Sequence, residues 1–487
     1  MKREQKLRLL SAVITVMLAI PLWAQENASP QKVEQTSQIQ QVLTLDDCHK
    51  MAIENNKNLK VSEEKINMAV YEKRAAVSNY LPKISATGAY MHTMRNPQLL
   101  PDSKLNELTG IGTKLESIGQ ILQLEGLTHI GDILTDLADR LQPDLSNVYV
   151  GMISAQEPLY VGGKIRAYNR IAAYAKELAQ TQYDTQRQEI IVQTDQAYWQ
   201  IVSIANKVKL TESYVELLRK LNDDVDKLVN EGLATQSDKL SIQVKLNEAE
   251  MMLIKAQNGL VLAKMLLCQY CGMDLESNIV LEDETLEDVV VIEEDLTYTK
   301  EEIIENRPEL HSLDLATKMY DKKVRIVASD FLPTIALFGN YIISNPSIYN
   351  GFEKQFNGNL NFGVMAKIPL FHWGEGMNKI RMAKAEAKIA KYELEDKTEL
   401  IMLQAKQFHQ RVIEADSRLK MSQDKMNDAE ENLRKATIGF REGMVASTVV
   451  TQAQTAWLQA HSEYIDSKVD RIMTAIYLKK ATGKLNQ

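Results

Sequence analysis

Apolar side chains recur every three or four positions through residues 160–270, a stretch without proline. Ile171, Tyr174, Ala175 and Leu178 begin the pattern, and Ile201, Ile204 and Val208 continue it. Leu240, Val244, Leu246, Met251 and Ile254 resume it after one interruption, Glu231-Gly232-Leu233-Ala234-Thr235. This spacing predicts two antiparallel helices joined by a tight glycine turn. At about 1.5 Å per residue, the first helix, about seventy residues, is roughly 100 Å long. A compact globular domain has no use for it.

The chain contains this unit twice. Ser78-Asn79-Tyr80-Leu81-Pro82-Lys83-Ile84 matches Ser329-Asp330-Phe331-Leu332-Pro333-Thr334-Ile335, and Gly88 and Tyr90 match Gly339 and Tyr341, all 251 residues apart. Farther on, Pro158-Leu159-Tyr160 matches Pro369-Leu370-Phe371, Glu231-Gly232-Leu233 matches Glu442-Gly443-Met444, and Gly272 matches Gly483, all 211 apart. The fall of 40 places a 40-residue insertion in the first copy, within about residues 97–147. From Pro158 to Gly272 there is no net gap, so hairpin length is kept while sequence drifts. Repeat 1 spans 45–272, with a helix over 46–79, strands over 83–92 and 148–157, and the hairpin over 160–270. Repeat 2 spans 300–487, with a helix over 300–330, strands over 334–343 and 359–368, and a hairpin over 370–482. Thr299 with Glu302 reads as a capping box at the start of the 300–330 helix.

The strands are clearest in 359–368, where even positions are apolar and odd ones largely polar or small. Such alternation fits a strand between lipid and a wet lumen, and also a half-buried soluble sheet. Pro82, Pro158, Pro333 and Pro369 stand where strand and helix meet, since proline lacks a donor and biases its predecessor toward extended geometry. Four strands cannot close a barrel, and an open edge in lipid is forbidden, so membrane-spanning strands require oligomerisation. In the insertion, Leu105, Leu108, Ile111, Leu115, Ile118 and Leu122, then Ile130, Leu134, Leu137 and Leu141, form a helical apolar stripe that five glycines weaken. A helical lid or plug over a pore mouth is expected there.

Charge and composition narrow the setting. The 487 residues are 45% hydrophobic and 25% charged, with net charge −8. Residues 1–24 combine a basic start, an apolar run from Leu9 to Trp23 and a small residue at Ala24, which describes a cleaved signal peptide. Its loss removes four basic residues and one acid, taking the charge to −11 and arguing against nucleic acid as a partner. No second apolar run of about 18 residues is evident, so no transmembrane helix is expected afterwards. Residues 25–44 read as a flexible lead-in. Residues 273–299 read as an acidic linker, with Val289–Ile292 as a short strand inside a solvated acidic loop. Three cysteines, Cys48, Cys268 and Cys271, cannot complete a disulfide framework, and Cys268 with Cys271 fits a buried pair or simple disulfide better than redox chemistry.

Chemistry for catalysis is missing. The sequence has no phosphate-cradling glycine loop, no His-Glu-x-x-His and no Gly-x-Ser-x-Gly. Its seven histidines are scattered singly and read as surface or interface residues. No enzyme, cofactor or metal site is expected.

Signal peptide, duplicated helix–strand–strand–hairpin unit, junction prolines and Gly-Leu or Gly-Met tips together resemble the TolC family of outer membrane efflux channels, over essentially the whole mature chain. The most specific parts are Pro158-Leu159-Tyr160-Val161-Gly162-Gly163 and the tips Glu231-Gly232-Leu233-Ala234 and Glu442-Gly443-Met444-Val445. The resemblance implies a mainly α fold with a β-barrel part. A homotrimer would build a twelve-stranded outer membrane barrel on a twelve-helix periplasmic α-barrel. It implies a passive duct working with a periplasmic adaptor and an inner-membrane transporter of RND or ABC type. Small toxic compounds are the expected cargo, with type I protein secretion as the alternative; a periplasmic coiled-coil scaffold is the alternative of another class. Gly232, Leu233, Gly443 and Met444 match the turns that members present to the adaptor. Members close the periplasmic entrance with carboxylates six and nine residues after the second tip glycine, where this chain has Val449 and Gln452. The first copy has Asp238 at the equivalent of Val449, so Asp238, Val449 and Gln452 are the expected gate, with Val449 closing by packing.

Overall fold

The computed structural model describes residues 41–94, 101–140, 145–284, 297–347, 349–350 and 353–485. The expected signal peptide, most of the lead-in and Val289–Ile292 lie outside these residues.

Each copy begins with a broken helix. Helices α1 (Leu45–Asn55) and α2 (Lys57–Val77) replace the single helix expected over 46–79. The break falls at Asn56, which is extended (φ −62°, ψ 123°) and whose side chain accepts from the Asn58 amide to cap α2. In the second copy, α7 (Lys300–Asn306) and α8 (Pro308–Ser329) replace the helix expected over 300–330. The extended residue is Arg307, driven out of helical geometry by Pro308. Asn56 and Arg307 are themselves 251 residues apart, so the break is part of the duplicated unit.

The long hairpins follow. They are α5 (Lys164–Asn230) with α6 (Gln236–Cys271), and α9 (Glu375–Arg441) with α10 (Ser447–Thr482), 67 and 36 residues in each copy. Helix α5 packs on α6 and on α10, and α10 packs on α9. The four therefore lie in the order α6, α5, α10, α9 with alternating direction. Helices α2 and α8 pack on α5, and α8 also reaches α9. Tyr214, Val215, Leu218, Leu246 and Ala249 fill the seam between α5 and α6, with Trp457 of α10 against them. Against the expectation of no further candidate span, α6 is by length and composition apolar enough to cross a membrane. Its place in the hairpin accounts for part of this apolar surface. Leu240, Val244, Met251, Ile254 and Leu262 nevertheless remain exposed on the outer helix of the row.

Midway along α5 lies the largest core cluster, where Tyr198, Ile201 and Val202 meet Cys48, Leu267 and Cys271. Two strands too short for any sequence signal close it. They are β1 (Gln41–Leu43), inside the expected lead-in, and β4 (Ile279–Leu281), paired in parallel. The acidic stretch just after β4 is tethered rather than merely solvated. Tyr198 donates its hydroxyl to Asp283 at 2.7 Å, and Glu284 pairs with Lys264 at 2.8 Å.

Strands β2 (Lys83–His92), β3 (Asn147–Val161), β5 (Thr334–Asn345) and β6 (Asn357–Lys367) form one antiparallel sheet in that order. Strand β3 runs through Pro158 to Val161, so this proline does not separate strand from helix. The register slips between Pro158 and Tyr160, where β5 is the only neighbour, and proline is tolerated at a one-sided bulge. Register also sorts the weakly alternating strands of the first copy. Ile84, Ile153, Leu337, Tyr341, Leu360, Phe362 and Val364 share one exposed face. Ser85, Ser154, Gln156, Asn340 and Asn361 share the other, with Ser85 and Ser154 bonded at 2.7 Å. Tyr90 and Tyr149 pack 4.9 Å apart at the strand ends far from the hairpins.

The insertion leaves from those far ends as α3 (Asp102–Leu122) and α4 (Glu125–Arg140). Three of its five glycines, Gly112, Gly119 and Gly131, form the contact between the helices, while Gly110 and Gly126 face open space. A Cβ on Gly119 would stand 2.6 Å from the Thr128 nitrogen, and one on Gly131 2.7 Å from the Gly112 oxygen. Close approach at this seam turns Ile118, Ile121, Ile130 and Ile133 outward, where they are exposed.

Candidate functional site: the paired hairpin tips

Both hairpins reverse through the same hydrogen-bonded turn. Gly232 has φ +74° and Gly443 φ +72°, the left-handed region where glycine carries no Cβ penalty. The Gly232 amide donates to the Val229 carbonyl at 3.0 Å and the Leu233 amide to Leu228 at 2.8 Å. In the second copy Gly443 donates to Phe440 at 3.0 Å and Met444 to Gly439 at 2.7 Å. This pair of bonds satisfies the last carbonyls of a helix and fixes the exit direction of the chain. It also holds the next side chain outward: Leu233 is 73% exposed and Met444 76%.

The return helices start differently. Helix α6 opens on a capping box. The Asp238 amide donates to the Thr235 hydroxyl oxygen at 3.2 Å, while the Asp238 carboxylate accepts from the Thr235 amide at 3.0 Å and hydroxyl at 2.7 Å. These bonds, the hydroxyl first, hold the Asp238 carboxyl below the ordinary carboxylate range. Asp238 is thus committed to its own helix start. At the equivalent positions 211 residues on stand Ala446 and Val449, and α10 has no side-chain cap. Val449 and Gln452 lie one turn apart on an exposed face of α10, while Val450 and Ala453 are buried against the neighbouring helices.

An open groove of about 890 Å³ separates the two tips. Leu233, Asp238 and Gly443 line it, so three of the expected residues meet there; Gly232, Met444, Val449 and Gln452 are not among its lining residues. The sequence reading missed Leu228, Phe440 and Ala446, which also line it together with Val445 of the tip motif. It missed as well the cluster of Leu221, Val225, Ile242 and Val450 that clamps the tips side by side. Helical spacing marks this cluster as core, yet no local signal says that two hairpins share it. Pro82, Pro333 and Pro369 sit in the connections flanking β2, β5 and β6, remote from the tips. His49 belongs to the core cluster region, its Nε2 2.6 Å from the buried Asp195. Among the described residues, no group of three or more histidines, cysteines or acids could hold a metal ion.

Comparison with known proteins agrees with this geometry. The outer membrane efflux protein family profile matches residues 49–272 and 300–484. The alkaline protease secretion protein AprF of Pseudomonas aeruginosa is 21% identical over 340 residues, 70% of each chain. The outer membrane channel CmeC of Campylobacter jejuni superposes with TM-score 0.71 at 15% identity, over 91% of this chain and 86% of its own. The MtrE outer membrane channel of Neisseria gonorrhoeae, in its open state, gives 0.69 at 15% identity, over 96% and 98%. The fold is that of these channels.

Proposed function

Since the chain belongs to the outer membrane efflux protein family and is an outer membrane exit duct, we propose that it exports small toxic compounds as the outer component of a tripartite pump. The family description supports efflux. The observation that carries the duct geometry is the sheet with one apolar face and one face mixing serine, asparagine and glutamine with apolar residues such as Met152, Phe338 and Ile342, set on equal hairpins whose outer helices keep uncovered apolar sides.

Those unsatisfied surfaces support a homotrimer. Edge strands β2 and β6 run in opposite directions, as do edge helices α6 and α9, so identical copies join antiparallel on both levels. Three copies give twelve strands and twelve hairpin helices, closing every edge that lipid would otherwise meet unpaired. Ile84, Leu360, Phe362 and Val364 then face lipid, and the serine and asparagine face lines the lumen. Exposed apolar residues of α6 (Val244, Met251, Ile254) meet those of α9 (Met382, Ile389, Leu403) on the neighbouring copy.

At the periplasmic end, Gly232, Leu233, Gly443 and Met444 form two docking points per chain for the helical tips of a periplasmic adaptor, which links the duct to an inner-membrane transporter of RND or ABC type. Val449 and Gln452 face the axis and Val449 closes the entrance by packing. Asp238, held in its capping box, takes no part as a free charge. The insertion caps the outer mouth. A signal peptide over residues 1–24 directs export.

Protein secretion is the second reading, favoured by the likeness to AprF, a protease secretion protein. A deletion strain separates the two. Efflux predicts greater susceptibility to detergents, dyes and antibiotics with an unchanged set of secreted proteins. Normal susceptibility with a protein missing from the medium would overturn efflux and support secretion. Heat-modifiable mobility of the outer membrane fraction tests the barrel trimer; its absence favours a periplasmic scaffold instead.

A further inference from the structure

The core midway along the hairpins holds chemistry that a passive duct does not use. All three cysteines of the chain are there, each 1% exposed or less. Cys48 comes from α1 and Cys271 from the last turn of α6, 223 positions later. The Cys271 thiol donates to the Cys48 carbonyl oxygen at 3.7 Å, and both thiols are free and buried in this structure. Cys268 sits one turn earlier on α6, in the same cluster.

The duplication provides an internal comparison. At the shifts of 251 and 211, Cys48 corresponds to Thr299 and Cys271 to Thr482. Thr482 is buried, with its hydroxyl donated to the Leu478 carbonyl at 2.9 Å. Thr299 is an exposed helix N-cap, so the second copy has no buried pair at these positions, and at the Cys271 position the duplicated helix end closes without sulfur.

We propose that Cys48 and Cys271 are joined by a disulfide in the exported protein, stapling α1 to the end of the first hairpin. This rests on the outer membrane reading, because compartments outside the cytoplasm favour such bonds. Each thiol gives up a proton as the sulfur–sulfur bond forms. The two electrons pass to the disulfide of an exported thiol–disulfide oxidoreductase, which leaves as a dithiol. Cys268 remains a free thiol. All three sulfurs are buried in the folded core, out of reach of an oxidoreductase, so exchange takes place while the chain folds. The closed loop spans the first sheet strands and the whole first hairpin, so the bond removes freedom from the unfolded chain.

Differential labelling of the wild-type protein, purified from the outer membrane fraction, tests this. The protein is denatured and alkylated without reductant, then reduced and alkylated with a reagent of different mass. Cys268 should carry the first label, Cys48 and Cys271 the second, and unreduced digests should contain the linked peptide. First label on all three cysteines, or a linked peptide containing Cys268, overturns the proposal. Failure of the protein to reach the outer membrane fraction would instead overturn the localisation. As an independent measure, Cys48→Ala and Cys271→Ala should each lower Tm by several degrees, to a common value that added reductant does not lower further. A reductant-sensitive Tm in both variants would also reject the pairing.

Discussion

Replacing Gly443 separates a docking role from a turning role. Gly443 lies at φ +72°, and a Cβ built on it meets nothing within 4 Å. A Cβ there therefore costs backbone strain alone, about 1–2 kcal/mol for a left-handed residue. About 0.4–1 kcal/mol of that is offset because the substituted unfolded chain has less freedom to lose. The net penalty of about 1 kcal/mol is small beside the cluster holding the tips. Leu221, Val225, Ile242 and Val450 are nearly fully buried, and each contributes roughly 1.5–3 kcal/mol. Gly443→Ala and Gly443→Trp thus share one backbone cost, and the tryptophan adds a ring at the groove between the tips. If the tip docks an adaptor, the ring removes a central contact, and a loss of about 2.7 kcal/mol is a hundredfold in affinity. Susceptibility to a panel of toxic compounds, measured in a strain lacking its own channel, should be near normal for Gly443→Ala and that of the empty strain for Gly443→Trp. Both variants should give normal outer membrane yield and heat-modifiable trimers. Normal resistance with Gly443→Trp refutes docking at this tip. Equal loss with Gly443→Ala shows that turn geometry, rather than exposed surface, is what matters.

Val449→Ser should make the closed entrance leak, raising single-channel conductance in planar bilayers and uptake of large hydrophilic antibiotics. Unchanged conductance would reject closure by apolar packing. Because its capping bonds depress the Asp238 carboxyl, their contribution is fully present above the unfolded pKa of about 3.9 and is lost as pH falls through the folded value. Hydrogen exchange at the start of α6 should therefore quicken in that acid range, while the uncapped start of α10 is unaffected; equal responses would show that the box does not anchor the tip. Replacing residues 97–147 by a short turn should leave trimers intact and raise conductance, and unaltered conductance would reject an outer cap.

The hairpins, their turns and the duplication were legible because their causes are local. A helix needs apolar residues three or four apart, and a reversal needs a glycine where Gly232 and Gly443 stand. A second copy at a fixed shift repeats both. The helix break at Arg307 was also written locally, in Pro308, though its partner at Asn56 became apparent only through the duplication. Other features depended on what distant segments meet. Thr235 and Asp238 are visible as a pair, but only the turn geometry commits that carboxylate to its own helix rather than to the axis. Glycines that weaken an isolated helix became a contact surface once α3 and α4 met through Gly112, Gly119 and Gly131. Pro158 stays within a strand because β5 alone neighbours it there. Strands β1 and β4 are too short for periodicity, and Cys48 meets Cys271 only when α1 docks against the hairpin's end. Sequence periodicity reports which face of an element avoids water; which distant element covers that face is decided by the assembled chain.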